Sequence, residues 1–416
     1  MTIRKICISL FSVCILFAFP CGCAEKKVDS EKDAFIQENI NFATKQIGLM
    51  LEKVGEPTGK NYPRTMDDNG NLVVTGMYDW TPGFFPGSLW YLYELTGDTV
   101  WKEKAEKWTQ SLEPLKTFKG HHDLGFMMYC SYGNAERLAA KPEYKDILVE
   151  SAYSLASRFS EKTNVIKSWN YRLAWDGETE WFYPVIIDNM MNLEMLLYGA
   201  KVSGDKRLYD IAVTHAGTTL KNQFRDDFSS YHVVDYDTIT GAVKSQATCQ
   251  GFSDNSTWSR GQAWAIYGYT MMYRETKDPT FLNAAIHFAD YYLERLPEDF
   301  VPLWDFNIGQ DGYVPDKDSY AAEYQEKLRD VSAAAIVSSA LFELAGYAKK
   351  KDYTDKAVKM LQSLASDKYR AKLNENADFI LMHSVGSIPH KTEIDKPLVY
   401  ADYYFLEALV RYKNMK

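Results

Sequence analysis

Five times along this 416-residue chain a helix-patterned stretch ends in a short polar link and a new stretch begins. The links are Thr96-Gly97-Asp98, Lys141-Pro142-Glu143, Ser203-Gly204-Asp205, Thr276-Lys277-Asp278 and Lys350-Lys351-Asp352. About 17 to 22 residues before each link lies a charged residue in apolar company: Asp79, Asp123, Asp188, Arg260 and Asp330. A helical hairpin repeated at this period cannot bury its apolar face alone, so successive hairpins must stack. Charged groups at one phase of every unit then collect at one end of the stack. That end is a candidate active site.

Apolar residues recur at helical spacing over 34–54, 87–95, 99–112, 124–139, 144–159, 185–202, 206–224, 259–276, 279–295, 332–348, 353–365 and 400–412. Asp98, Asp205 and Asp278 precede new helices as N-caps, and Pro279 suits a first helical turn. Within each hairpin the first helix is the more apolar, as in 185–202, and the second the more charged, as in 206–224. A helix apolar on every side belongs inside and an amphipathic one covers it. Five such pairs, with a sixth made by 34–54 packing beside 400–412, predict an all-α fold: an (α/α)6 barrel of six inner and six outer helices. An open solenoid shares the local pattern, but neither end carries an evidently polar capping repeat, which favours closure. Strand-like alternation is confined to 231–243, read as a small loop hairpin at the barrel mouth.

Residues 1–23 read as a secretory leader: Arg4 and Lys5 precede an apolar run from Ile6 to Phe19, and Cys21-Gly22-Cys23 follows. The run is too short for a stable membrane span. Gly22 before Cys23 raises lipoprotein processing, and so a lipid anchor, as one outcome and simple cleavage nearby as the other. Either way the chain is expected to be exported, as a periplasmic or membrane-anchored protein. Residues 24–416 contain no Pro/Gly/Ser-rich linker or composition shift, so one large catalytic domain is expected.

A formal net charge of −9 argues against nucleic acid and against a broad basic face for a polyanion. Only Cys130 and Cys249 remain in the body of the chain, and no His/Cys spacing suits a metal, so neither metal nor cofactor is expected. There is no glycine-rich phosphate loop, GxSxG elbow or cysteine nucleophile setting. The 10 Trp, 29 Tyr and 21 Phe mostly suit a large helical core, with a tryptophan surplus that also fits stacking on sugar faces.

Asp188, in Pro184-Val185-Ile186-Ile187-Asp188-Asn189-Met190, opens the most apolar helix. Loss of solvation there disfavours the anion and favours a retained proton, which a general acid requires. Asp123, in His121-His122-Asp123-Leu124-Gly125-Phe126, sits at the same phase, and two carboxyls side by side hold one proton between them more readily. For both residues the competing reading is a helix cap. Trp258-Ser259-Arg260-Gly261-Gln262-Ala263-Trp264 places Arg260 and Trp264 at i and i+4, where a guanidinium grips a carboxylate and an indole stacks on a sugar; the alternative is a buried salt bridge with core packing. Asp305 and Asp402 are read as structural.

Four ordered motifs carry a resemblance: Trp80-Thr81-Pro82-Gly83-Phe84-Phe85-Pro86-Gly87, His122-Asp123-Leu124-Gly125-Phe126, Ile187-Asp188-Asn189-Met190-Met191-Asn192-Leu193 and Trp258-Ser259-Arg260-Gly261-Gln262-Ala263-Trp264. From about Tyr78 to Leu409 the sequence resembles the unsaturated glucuronyl hydrolases of glycoside hydrolase family 88. The resemblance implies an (α/α)6 barrel acting on oligosaccharides left by polysaccharide lyases, whose terminal uronate carries a C4=C5 double bond. It implies that Asp188 protonates C4 of this vinyl ether and then takes a proton from the water adding at C5, after which the hemiketal collapses. Asp123 would assist the developing positive charge, His122, His232, Gln250, Arg260 and Trp264 would contact substrate, and Trp80 would form an aromatic wall. Some members acting on sulfated chondroitin carry Ser-x-Gly-Lys near the C-terminus; here Ser384-Val385-Gly386-Ser387 lacks the lysine. Two further readings stand beside this one: an unsaturated rhamnogalacturonyl hydrolase acting on pectin fragments, and a non-catalytic glycan-binding lipoprotein.

Overall fold

The computed structural model describes residues 21–415. The apolar leader expected over residues 6–19 lies outside them. The helices are α1 Cys21–Val54, α2 Phe84–Thr96, α3 Thr99–Gln110, α4 Leu124–Met128, α5 Asn134–Ala139, α6 Pro142–Ala156, α7 Leu193–Ser203, α8 Lys206–Asn222, α9 Ser259–Thr276, α10 Pro279–Glu294, α11 Val331–Ala348, α12 Lys351–Leu364 and α13 Val399–Asn414. An inner ring runs α2, α4–α5, α7, α9, α11 and α13, and closes where α13 packs on α2. The outer layer is α3, α6, α8, α10, α12 and α1. At the seam Lys32 Nζ donates to Met415 O (2.6 Å) and the Phe35 ring meets the edge of Tyr412. This is the expected (α/α)6 barrel.

The two layers differ as their sequences require. Residues 331–340 of the inner helix α11 are all buried. That helix is long and apolar enough to cross a membrane, but 78% of the stretch lies buried within the protein. Its outer partner α12 buries one stripe, Tyr353, Ala357, Met360, Leu361 and Leu364, at the three-to-four-residue spacing of a covering helix. Asp98, Asp205 and Asp278 cap α3, α8 and α10 by accepting the backbone N–H two residues on. Gly97, Gly204, Lys277 and Lys349 end the preceding inner helices in the left-handed conformation that reverses the chain.

Two inner segments depart from single helices. The stretch expected as a helix over 185–202 begins instead as a strand, Pro184–Ile186, turns through a 3-10 segment, Ile187–Asn192, and only then becomes α7. A Val-Ile-Ile run is β-branched and packs well on a pleated surface, so its apolarity is compatible with either element until a strand partner exists. That partner is Val233–Tyr236, which pairs antiparallel with Pro184–Ile186 on one side and with Val243–Ala247 on the other. The hairpin expected at the mouth is therefore part of a three-stranded sheet. Strand structure is also less confined than expected, for Tyr62–Met66 pairs with Leu72–Thr75 and further short pairs occur at 159–181. The second departure is a π-turn, Tyr129–Gly133, that joins α4 to α5.

Candidate active site

The sheet register decides what stands beside Asp188. Ile186 pairs with Val233, and one step on Ile187 N donates to His232 O (3.1 Å). Asp188 and His232 thus face each other where the ladder ends, with His232 Nε2 3.6 Å from Asp188 Oδ2. His232 Nδ1 accepts from the backbone N–H groups of Cys249 (2.9 Å) and Gln250 (3.1 Å). Two donors on one ring nitrogen leave the proton on the other, so Nε2–H points at the carboxyl. Burial, outweighing the attraction of Asp188, pushes the His232 imidazolium below its ordinary range and keeps the ring neutral.

Neither aspartate is a helix cap. Asp188 lies inside the first turn of the 3-10 segment, whose cap position is Ile186, and its Oδ2 is buried with no hydrogen bond. Asp123 occupies the cap position of α4, yet its side chain makes no capping bond. It turns instead to His121 Nδ1 (3.0 Å) and His122 Nε2 (3.3 Å). Burial pushes Asp123 up, but the adjacent His122 and His121 more than offset this and hold it below the usual carboxylate range. The two carboxyls expected to share one proton differ in their neighbours: Asp123 is held ionised by histidines, while Asp188 faces the neutral His232 ring at 3.6 Å without a hydrogen bond.

The two segments are joined through Asn192 and His122. Asn192 Oδ1 accepts from Phe126 N (3.1 Å), and Asn192 Nδ2 and Ser168 Oγ each stand 3.4 Å from His122 Nδ1. His122 is fully buried, lies in the field of both carboxylates, and is pushed down chiefly by burial.

Arg260 does not present its fork to the cavity. It is buried, pairs with Asp330 Oδ2 (2.9 Å), and donates to the carbonyls of Val385 and Gly386. Asp330 also caps α11 through Ser332 N (3.0 Å). A fork already filled by a carboxylate and two carbonyls ties the 385–386 loop to α9 and α11, the buried salt bridge that the sequence left as the alternative. Gln250 reaches the same loop, donating to Gly386 O (3.3 Å).

Trp264 is also removed from direct stacking: it is fully buried between Phe126 and Tyr404, in the floor of the site. Trp80 is partly exposed and stands over Tyr400 at 4.9 Å, as a wall residue should. Asp79, the first member of the repeated set, pairs with Arg64 and accepts from Thr81 N (3.0 Å). The Arg260 guanidinium faces Tyr400 at 5.4 Å, so the chain of contacts Asp79–Trp80–Tyr400–Arg260–Asp330 runs along the N-terminal ends of the inner helices, as the repeat predicts. Trp258, 4.7 Å from the His232 ring and 4.5 Å from the Arg260 guanidinium, and Asn192 are site residues that sequence reasoning quoted within motifs without assigning.

The chain matches Glycosyl Hydrolase Family 88 over residues 58–414. It is 46% identical over 397 residues to an unsaturated glucuronyl hydrolase of Formosa agariphila, covering 94% of each protein. It is 31% identical to an unsaturated chondroitin disaccharide hydrolase of Streptococcus pyogenes, over 92% of this chain and 93% of that one. A solved unsaturated glucuronyl hydrolase specific for heparin superposes with a TM-score of 0.83 at 42% identity, covering 91% of this chain and 97% of that chain. With the barrel and the mouth carboxyls in place, the chain belongs to glycosyl hydrolase family 88, among the unsaturated glucuronyl hydrolases.

Proposed function

We propose that this enzyme removes the terminal 4,5-unsaturated uronic acid from lyase-generated glycosaminoglycan oligosaccharides, with Asp188 as the group that moves the proton. The observation that carries the assignment is the Asp188 carboxyl itself: buried, uncapping, unbonded at Oδ2, and faced by a neutral His232 N–H. In its acid form it gives its hydrogen to C4, and the electron pair of the double bond forms the new C–H bond. Positive charge then spreads over C5 and the ring oxygen, where ionised Asp123 stabilises it. Water adds at C5 and returns a proton to Asp188, restoring the acid. The C5 hemiketal opens to a ketone, and the freed anomeric carbon releases the second sugar.

Trp80 supplies a wall for the sugar ring, and His122, His232 and Gln250 surround the reacting end. Arg260 and Trp264 act from beneath, as positioning residues. A heparin-type substrate is favoured by the 42% identity to the heparin-specific structure, above the 31% to the chondroitin disaccharide enzyme. Export rests on the leader, with Cys23 as the acceptor of a lipid; metabolic labelling with a fatty acid, compared with Cys23→Ala, tests it.

The decisive experiment follows the vinyl-ether absorbance of unsaturated disaccharides from heparin, hyaluronan, chondroitin and pectin. Loss of the band is expected on the glycosaminoglycan products, fastest on the heparin type, and absent with Asp188→Asn. A band unchanged on all four substrates would refute the reading.

A further inference from the structure

Beside the catalytic groups stands a guanidinium that no carboxylate among the described residues neutralises. Arg172 is half-buried and lies over the rings of Trp169 (5.5 Å) and Trp175 (5.4 Å). It has no acidic partner among the described residues, and of its donors only Nη2 is engaged, toward His390 Nε2. Its Nε and Nη1 have no partner among the described residues. The loop that carries it is tied to the catalytic wall: Trp175 Nε1 donates to Cys249 O (2.9 Å), next to Gln250, and the Trp169 ring lies 6.4 Å from His232. The charge of Arg172 bears on both His232 and Cys249.

The contacts behind it fix a donor pattern. His390 is neutral, pushed down to about 3 by burial and then by Arg172 and His232. With Nε2 accepting from Arg172, the ring proton sits on Nδ1 and is donated to Ser387 Oγ (2.5 Å). The Ser387 hydroxyl hydrogen is then uncommitted. Nη2 carries two hydrogens and gives one to His390, so one two-hydrogen edge of the guanidinium stays complete; braced between indoles and accompanied by a hydroxyl donor, that edge matches the clustered oxygens of an anion.

From this geometry we propose that Arg172, with His390 and Ser387 behind it, binds a sulfo group on the second sugar and so sets which lyase products the enzyme prefers. The inference rests on the proposed function for its substrate, the disaccharide whose unsaturated end lies at Asp188.

The test is calorimetric binding to Asp188→Asn protein, so that turnover does not interfere. Three unsaturated disaccharides are compared: 6-O-sulfated, N-sulfated and unsulfated. Adding Arg172→Gln should weaken at least one sulfated ligand about tenfold or more, the scale of one charge-assisted hydrogen bond. The unsulfated ligand should stay within about twofold, and Arg172→Lys should recover part of the loss. Whichever sulfated isomer loses more identifies the position read. Equal loss on all three, no loss on any, or no binding of either sulfated ligand before the change overturns the proposal. Failure of the underlying reading looks different: enzyme with Asp188 and Arg172 intact would leave the absorbance of all three untouched.

Discussion

A Cβ placed on Gly125 would lie 2.4 Å from the Cα of Asn192 and 2.6 Å from its Oδ1. The start of α4 and the 3-10 segment therefore meet backbone to backbone, and this contact brings the Asp123 and Asp188 segments to one place. Gly125→Ala must push them apart, at a cost of about 1–3 kcal/mol for overpacking. The expected outcome is a folded barrel with kcat lowered by about 10²-fold, since a displacement near 1 Å is costly to catalysis. Circular dichroism and steady-state rates on one preparation check it; an alanine variant with normal kcat contradicts the role given to this contact.

Asp188→Asn separates chemistry from stability. A positioned acid contributes typically about 10²–10⁴-fold, so at least that loss in kcat is expected. The carboxyl caps nothing and its Oδ2 is unbonded, so the melting temperature should be unchanged or higher. A marked drop in melting temperature would return Asp188 to a structural role.

Arg260 and Asp330 should behave as one unit. Removing one partner of a buried pair leaves an uncompensated charge, typically about 3–5 kcal/mol. Arg260→Met and Asp330→Asn are each expected to destabilise strongly, and the double variant by less than their sum. Arg260→Lys should rescue poorly, because one ammonium cannot span Asp330 and the two carbonyls of the 385–386 loop. Denaturant titrations of the four proteins complete the cycle; additive losses would show that the two residues act independently.

Acid should weaken the fold through buried neutral histidines. His215, whose Nδ1 accepts from Ile166 N (3.0 Å), is pushed down to about 3 by burial and then by His122. Its folded pKa lies below the unfolded value near 6.5, so between those limits the unfolded chain binds the extra proton. Its contribution is complete above about pH 6.5 and is lost as pH falls toward 3, and His390 adds in the same direction. Melting temperatures from pH 7.5 to 4 should fall, with a shallower slope for His215→Asn. Identical slopes in the two proteins would exclude His215 as a contributor.

The helical-hairpin repeat was legible because each hairpin is local: a 3.6-residue apolar period, a polar link and, in three of the five, an Asp cap lie within neighbouring residues. The same period marked Asp123 and Asp188, since a charge at the start of an apolar helix is conspicuous in one dimension. What it could not convey was the contact set of each side chain. Arg260 and Trp264 read as substrate groups because a fork and an indole one turn apart suit a sugar acid. Their partners, Asp330, the 385–386 carbonyls and Phe126, come from segments as much as 138 residues away. Arg172 gave no signal at all, its meaning arising only where Trp169, Trp175 and His390 converge.

The sequence alone determined five stacked helical hairpins and the phase that carries the charged residues to one end, because these depend on periodicities repeated within the chain; closure of the ring was decided by the packing of α13 on α2. Tertiary structure decided which of those charges stay clear of other charged side chains, as Asp188 does beside His232, and which are consumed in holding loops, as Arg260 and Asp330 are. It also decided that 184–186 is a strand, since a Val-Ile-Ile run takes its conformation from whatever partner reaches it. That pairing sets His232 against Asp188, and hydrogen bonds between segments distant in sequence leave no periodic mark on either one.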